Sequence, residues 1–167
     1  MSTELHTRPS GIKLSSHHEK WLWAVTAAVF LSGVLWLVFH FFLSEPGEYG
    51  ESRNPLESWW LRLHGAAAMA FLVVLGSIVP IHVRRAWQLR KNHLTGAGMI
   101  SVVAVLIVTG YALYYAGSET ARPWISLVHW GFGLMGLPML ILHVLIGQRR
   151  TAAAIRTHSK RKAPSTA

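Results

Sequence analysis

The sequence contains no cysteine. That excludes a disulfide framework, a thiolate-bound iron–sulfur cluster, a covalently attached c-type haem and a cysteine nucleophile. Charge is also scarce. Only 14% of the residues are Asp, Glu, Lys or Arg, against about 25% in a soluble domain. Acids are the scarcest of these, 7 against 16 basic residues, for a net charge of +9 over 167 residues. The deficit is not evenly spread. No charged residue occurs from Trp21 to Ser44, from Leu63 to Val83, from Asn92 to Ser118, or from Pro123 to Gln148. Each stretch is long enough for a helix to cross a hydrocarbon core of about 30 Å, which takes about 20 residues. A soluble domain of this size has nothing to bury four such segments against. The sequence therefore predicts an all-α, four-transmembrane-helix bundle, with helices over about 21–44, 59–83, 95–117 and 123–148. Residues 17–150 form the membrane domain, and 1–16 and 151–167 read as tails.

The basic excess is first a question about partners. Nucleic-acid binding needs Lys and Arg gathered on a solvated face. Here they sit in blocks between the apolar runs. The N-terminal tail, the second loop and the C-terminal tail together hold 13 of the 16 basic residues. The first and third loops hold Arg53, Arg62 and Arg122 with five of the seven acids. By the positive-inside rule both termini are cytoplasmic. The +9 then reports orientation in a cell's inner membrane, with lipid rather than nucleic acid as the surrounding partner. The first span is not a cleaved signal peptide, because its apolar run exceeds the usual 7–15 residues, roughly, and no small-residue cleavage site follows.

What the chain has in abundance is histidine, ten residues in all. Polar groups inside a span are costly and face the bundle interior. The second span holds His64 and His82, and the fourth holds His129 and His143. Eighteen residues make five whole helical turns, so His64 and His82 share a face; fourteen leave His129 and His143 within about 40° of each other. With short loops the second and fourth helices run parallel, so His64 meets His129 near the outer end and His82 meets His143 near the inner end. The separations, about 27 Å and about 21 Å along the axes, differ little enough for a tilt or a kink at Pro80 or Pro138 to absorb. Zinc would want about four ligands converging on one ion, and the pairs lie too far apart for that.

Two opposed imidazoles repeated at two depths suit the axial positions of two b-type haems. Small residues beside them, Gly65 to Ala68, Gly131, Gly133 and Gly136, admit a flat macrocycle. Arg62 and Arg122 at the outer end, and Arg84, Arg85 and Arg149 at the inner end, are candidate propionate partners. His40 is a candidate for a hydrogen bond within the bundle or a quinone site. His17, His18, His93, His6 and His158 read as surface or tail residues.

These residues also carry a resemblance. His129-Trp130-Gly131-Phe132-Gly133, ending in His143, resembles the fourth helix of the membrane cytochrome b family that serves nickel–iron hydrogenases and formate dehydrogenases, and of the related bacterial cytochrome b561 proteins. Leu63-His64-Gly65 is similar to the single ligand of the family's second helix. Leu31-Ser32-Gly33 and Val108-Thr109-Gly110 resemble its first and third helices. The resemblance covers about residues 18–148. It implies a diheme relay between the quinone pool and a redox partner subunit or soluble acceptor, an electron-transfer subunit more than a self-contained enzyme. In that family the fourth ligand comes from the first helix. Carried over it falls on His18, although aligning Leu31-Ser32-Gly33 places it nearer Glu19. His82, which the family does not require, is the expected inner partner of His143, with His18 as the alternative. The competing class is a haem-free membrane scaffold, assembly factor or transporter with structural histidines. Against transport, the expected spans contain no carboxylate.

Overall fold

A computed structural model of the chain describes residues 15–43, 45–47, 50–88 and 93–162. It is all-helical apart from one small hairpin, and four of its helices are long and apolar enough to cross a membrane. The first, α1, spans Ser16–Phe42. A hairpin of β1 (Glu45–Gly47) and β2 (Gly50–Ser52) connects it to α2, Pro55–Ile78. Five residues of π-helical turn, Val79–Val83, lead into the short α3, Arg84–Gln88. Then come α4, His93–Tyr115, and α5, Ala121–Lys162. The basic residues Arg90 and Lys91, residues 1–14 of the N-terminal tail and residues 163–167 of the C-terminal tail lie outside the described residues.

Local chemistry explains where the helices start. The Ser15 hydroxyl accepts from the His18 backbone N–H at 3.4 Å, and Glu19 lies in the first turn, where the helix dipole favours an acid. Asn54 caps α2 by accepting from the Leu56 N–H at 3.0 Å, with Pro55 at the first helical position, where its missing N–H removes nothing. That start lies four residues earlier than the sequence reading placed it. The shift has a chemical consequence: Glu57, expected in a loop, is inside the second membrane-length helix and buried.

The other differences have equally local reasons. The regular turns of α2 stop at Ile78, because Pro80 has no N–H for the α ladder and the chain adopts a wider turn around it. Helix α5 does not stop near residue 148. It continues to Lys162 through a stretch with no Gly or Pro and with Ala and Arg, both strong helix formers. At 42 residues it is about 63 Å long, roughly twice the hydrocarbon thickness. Its basic last turns therefore project beyond any membrane the bundle crosses.

The packing is two antiparallel hairpins. Helix α1 lies along α2, and α4 lies along α5. Joining them is a lesser contact between α1 and α5, while α2 and α5 make little direct backbone contact. Small residues let the second hairpin close tightly. Gly98 accepts the Met139 side chain, and Gly136 faces Val102 and Leu106. Few of the described residues are buried: Val25, Ala67, Ile78 and Val102 among the apolar ones. Large apolar side chains such as Leu31, Met69, Val73, Val108 and Met135 point outward. In water such a surface would drive aggregation; in lipid it is the solvated face.

Candidate functional site

The space between α2 and α5 is bridged by imidazoles. The ring centres of His64 and His129 stand 6.2 Å apart with their planes at 88°. Those of His82 and His143 stand 6.4 Å apart at 78°. Since both pairs form, α2 and α5 run in the same direction, and the two pairs lie at two levels of one bundle. A metal–imidazole bond is about 2.0–2.1 Å, and a ring nitrogen lies about 1.1 Å from its ring centre. Two imidazoles on opposite sides of one ion therefore have centres about 6.3 Å apart, which is the spacing of both pairs. Among the described residues no third His, Cys, Asp or Glu joins either pair to make a three-ligand cluster. Each pair thus offers two imidazoles rather than a closed cage.

Three of the four rings have a hydroxyl at Nδ1. The Ser32 hydroxyl donates to the Ala28 carbonyl at 2.6 Å, so its oxygen is left to accept from His64 Nδ1 at 3.2 Å. The same Nδ1 donates to the Val29 carbonyl at 3.0 Å. A carbonyl only accepts, so the hydrogen sits on Nδ1 and the lone pair on Nε2. On the other hairpin, the Thr109 hydroxyl donates to the Val105 carbonyl at 2.6 Å and accepts from His129 Nδ1 at 2.9 Å. Thr95 Oγ1 lies 3.1 Å from His143 Nδ1. An imidazole that donates through one nitrogen presents the other as a more basic ligand in a fixed orientation.

Each of these hydroxyls is followed by a glycine that makes room for the ring. A Cβ on Gly33 would come within 3.0 Å of the His64 ring, and one on Gly110 within 3.2 Å of the His129 ring. On Gly96 it would be at 4.0 Å from His143, an ordinary contact. His82 is the exception. It sits in the π-helical turn, and its buried Nδ1 has no hydrogen-bond partner.

The sequence reading missed Thr95, although a signal for it exists. Thr95 and Thr109 are fourteen residues apart, the same interval as His129 and His143. On antiparallel neighbours equal intervals bring both hydroxyls opposite both rings. Of the small residues expected to leave space, Gly65 and Gly131 do, since a Cβ on either would meet nothing within 4 Å, whereas Gly133 and Gly136 pack against Leu106 and Val102 of the neighbouring helix.

The remaining expected residues stand apart from these rings. His18 is exposed, and its Nδ1 lies 2.7 Å from the Ser15 hydroxyl at the start of α1. Arg62 is exposed with its guanidinium 5.2 Å from the Trp59 ring centre. Arg84 and Arg122 are exposed at helix starts, and Arg149 is exposed within α5. Compared with protein-family models, with curated proteins and with solved structures, the chain finds no match.

Proposed function

We propose that the protein is an integral-membrane electron carrier holding two b-type haems, one between His64 and His129 and one between His82 and His143. It passes electrons between a quinone pool and a redox partner. The observation that carries this reading is the recurrence, at two levels, of opposed imidazoles with ring centres 6.2 and 6.4 Å apart. A b-type haem asks the protein for two axial nitrogens and supplies the other four donors, together with one-electron iron chemistry, itself.

The chain's own residues do the holding. Ser32 and Val29 orient His64, Thr109 orients His129, and Thr95 orients His143. For His64 and His129 these bonds leave Nε2 as the ligand nitrogen. Gly65 and Gly131 keep the flanking space clear. Arg62 and Arg122 at one end and Arg84 at the other are the cations nearest in depth for propionates. The distribution of basic residues favours cytoplasmic termini, which makes the His64–His129 level the outer one in a cell's inner membrane. No nucleotide fingerprint occurs in the sequence, so chemistry on a soluble substrate falls to a partner subunit or acceptor.

The test is optical. Purified from haem-replete cells, the protein should be red, with a reducible b-type spectrum and two haems per chain by pyridine haemochrome assay. A colourless preparation rejects the reading and leaves a haem-free scaffold or transport module with structural histidines.

A further inference from the structure

A second polar cluster lies on the α1–α2 seam, beyond the His64–His129 level. Glu57 is buried, and its Oε1 accepts from Nδ1 of His40 at 2.8 Å. His40 stacks on Trp36 with ring centres 4.6 Å apart and planes at 18°. Trp60 lies one turn after Glu57 on α2, with its ring 6.1 Å from Phe39. The buried Nε1 atoms of both Trp36 and Trp60 have no hydrogen-bond partner. Glu57 precedes His64 by seven residues, two turns of the same helix face, which sets it about 10 Å from that ring along the axis.

Stability alone is a poor account of this cluster. A buried ionisable pair is expensive to desolvate, and an apolar pair of similar volume would join the two helices as well or better. Buried indole N–H groups are ordinarily bonded, and two unbonded ones beside a single buried pair call for an acceptor. The pair is also reachable, because the His40 side chain keeps 28% of its exposure while Glu57 keeps 9%. Both residues belong to membrane-length helices, so a ligand that reaches them from the membrane is lipid-soluble. It must offer oxygens to indole N–H donors, a flat ring to aromatic walls, and acidic hydrogens to an imidazole backed by a carboxylate.

We propose that Trp36, His40, Glu57 and Trp60 form a site for a lipid-soluble hydroquinone, with His40 as the base that takes its protons. The proposal rests on the electron-transfer reading above. Oxidation of the hydroquinone to the quinone breaks two O–H bonds and releases two protons and two electrons. Each proton goes to Nε2 of His40, whose Nδ1–H is held by Glu57, and then to water at the interface. A b-type haem held by His64 and His129 would take the two electrons one at a time, passing the first on before it received the second.

The experiment compares the full-length wild-type protein with His40→Gln, Glu57→Gln, Trp36→Phe and Trp60→Phe. Reduction is followed in the visible spectrum with a short-chain ubiquinol and, separately, with dithionite. Loss of the base should slow ubiquinol reduction about 100-fold in His40→Gln, with haem content and dithionite reduction unchanged. Glu57→Gln should slow it in the same direction. Each Trp→Phe variant should weaken binding of the oxidised short-chain quinone roughly fivefold, the loss of one hydrogen bond, read from quenching of the remaining tryptophan fluorescence. Wild-type ubiquinol rates in His40→Gln and Glu57→Gln, with haem retained, overturn the proposal and leave the electron carrier standing. A colourless wild-type protein overturns the electron-transfer step; the quench assay, which needs no haem, then decides the binding site. Quinone affinity unaltered in all four variants overturns that as well.

Discussion

The His64 and His129 rings face each other across the bundle with their planes almost perpendicular, at 88°. The His82 and His143 rings repeat the relationship at 78°. The His64 and His129 rings are each fixed about their own axes by the hairpin they belong to, and the two hairpins meet face to face. The angle between planes is therefore a property of the protein, set by Ser32 and Val29 on one side and Thr109 on the other.

That angle has a spectroscopic consequence. Two parallel imidazole planes split the iron d orbitals and give a rhombic low-spin ferric signal. Two perpendicular planes leave them nearly degenerate and give a strongly anisotropic signal with one large g value. Electron paramagnetic resonance of the oxidised protein should show the second kind for both centres. Rhombic signals from both would mean that the rings do not hold these orientations about iron.

Deleting single histidines separates the two candidates for the fourth ligand. His82 stands opposite His143 at 6.4 Å, while His18 is exposed at the start of α1 and engaged by Ser15. His82→Ala should leave one haem per chain and His18→Ala should leave two, by haem assay on purified protein. The reverse result would move the inner ligand to α1.

Much of this arrangement was legible in the sequence, and the rest has physical reasons for its absence there. The four apolar runs announced the helices, because a membrane span is written in composition alone. The interval from His129 to His143 announced a shared face, because α-helical periodicity is fixed; the count from His64 to His82 runs into the π-helical turn at Val79–Val83, where His82 still stands opposite His143. Helix ends were less legible. Asn54 and Pro55 start α2 early and carry Glu57 into the bundle, where a pairing with His40 depends on how two helices lie together. The wider turn around Pro80 was expected only as a kink. The hydroxyl of Thr95 was hidden for the same kind of reason, since its role exists only opposite His143.

Two glycines on the same hairpin should behave oppositely. A methyl group at Gly33 would lie 3.0 Å from the His64 ring, which cannot retreat without breaking its bonds to Ser32 and Val29. A methyl group at Gly65 would meet nothing within 4 Å of protein. Gly33→Ala should therefore shift or deplete the centre at the His64 level, seen as loss of haem or an altered potential in a redox titration. Gly65→Ala should fold and pack normally, so any haem loss it causes measures crowding of the cofactor and not of the protein.

The hydroxyl of Thr109 offers the most direct control over the ligand itself. It gives its own hydrogen to Val105 and so can only accept from His129 Nδ1. That bond draws the Nδ1 proton away from the ring, makes Nε2 more basic and favours the ferric state. Thr109→Val keeps the shape and removes the acceptor. Losing the partner of a ligand's other ring nitrogen weakens metal binding about tenfold at the low end. Taken entirely by the ferric state, a tenfold change in a one-electron couple is about 59 mV. The midpoint potential of the His64–His129 centre should rise by about that amount in Thr109→Val, with haem content kept, while the other centre holds its potential. Thr109→Ser restores the acceptor and should return the potential toward wild type. An unchanged potential in Thr109→Val would show that the hydroxyl positions the helix and does not tune the ligand.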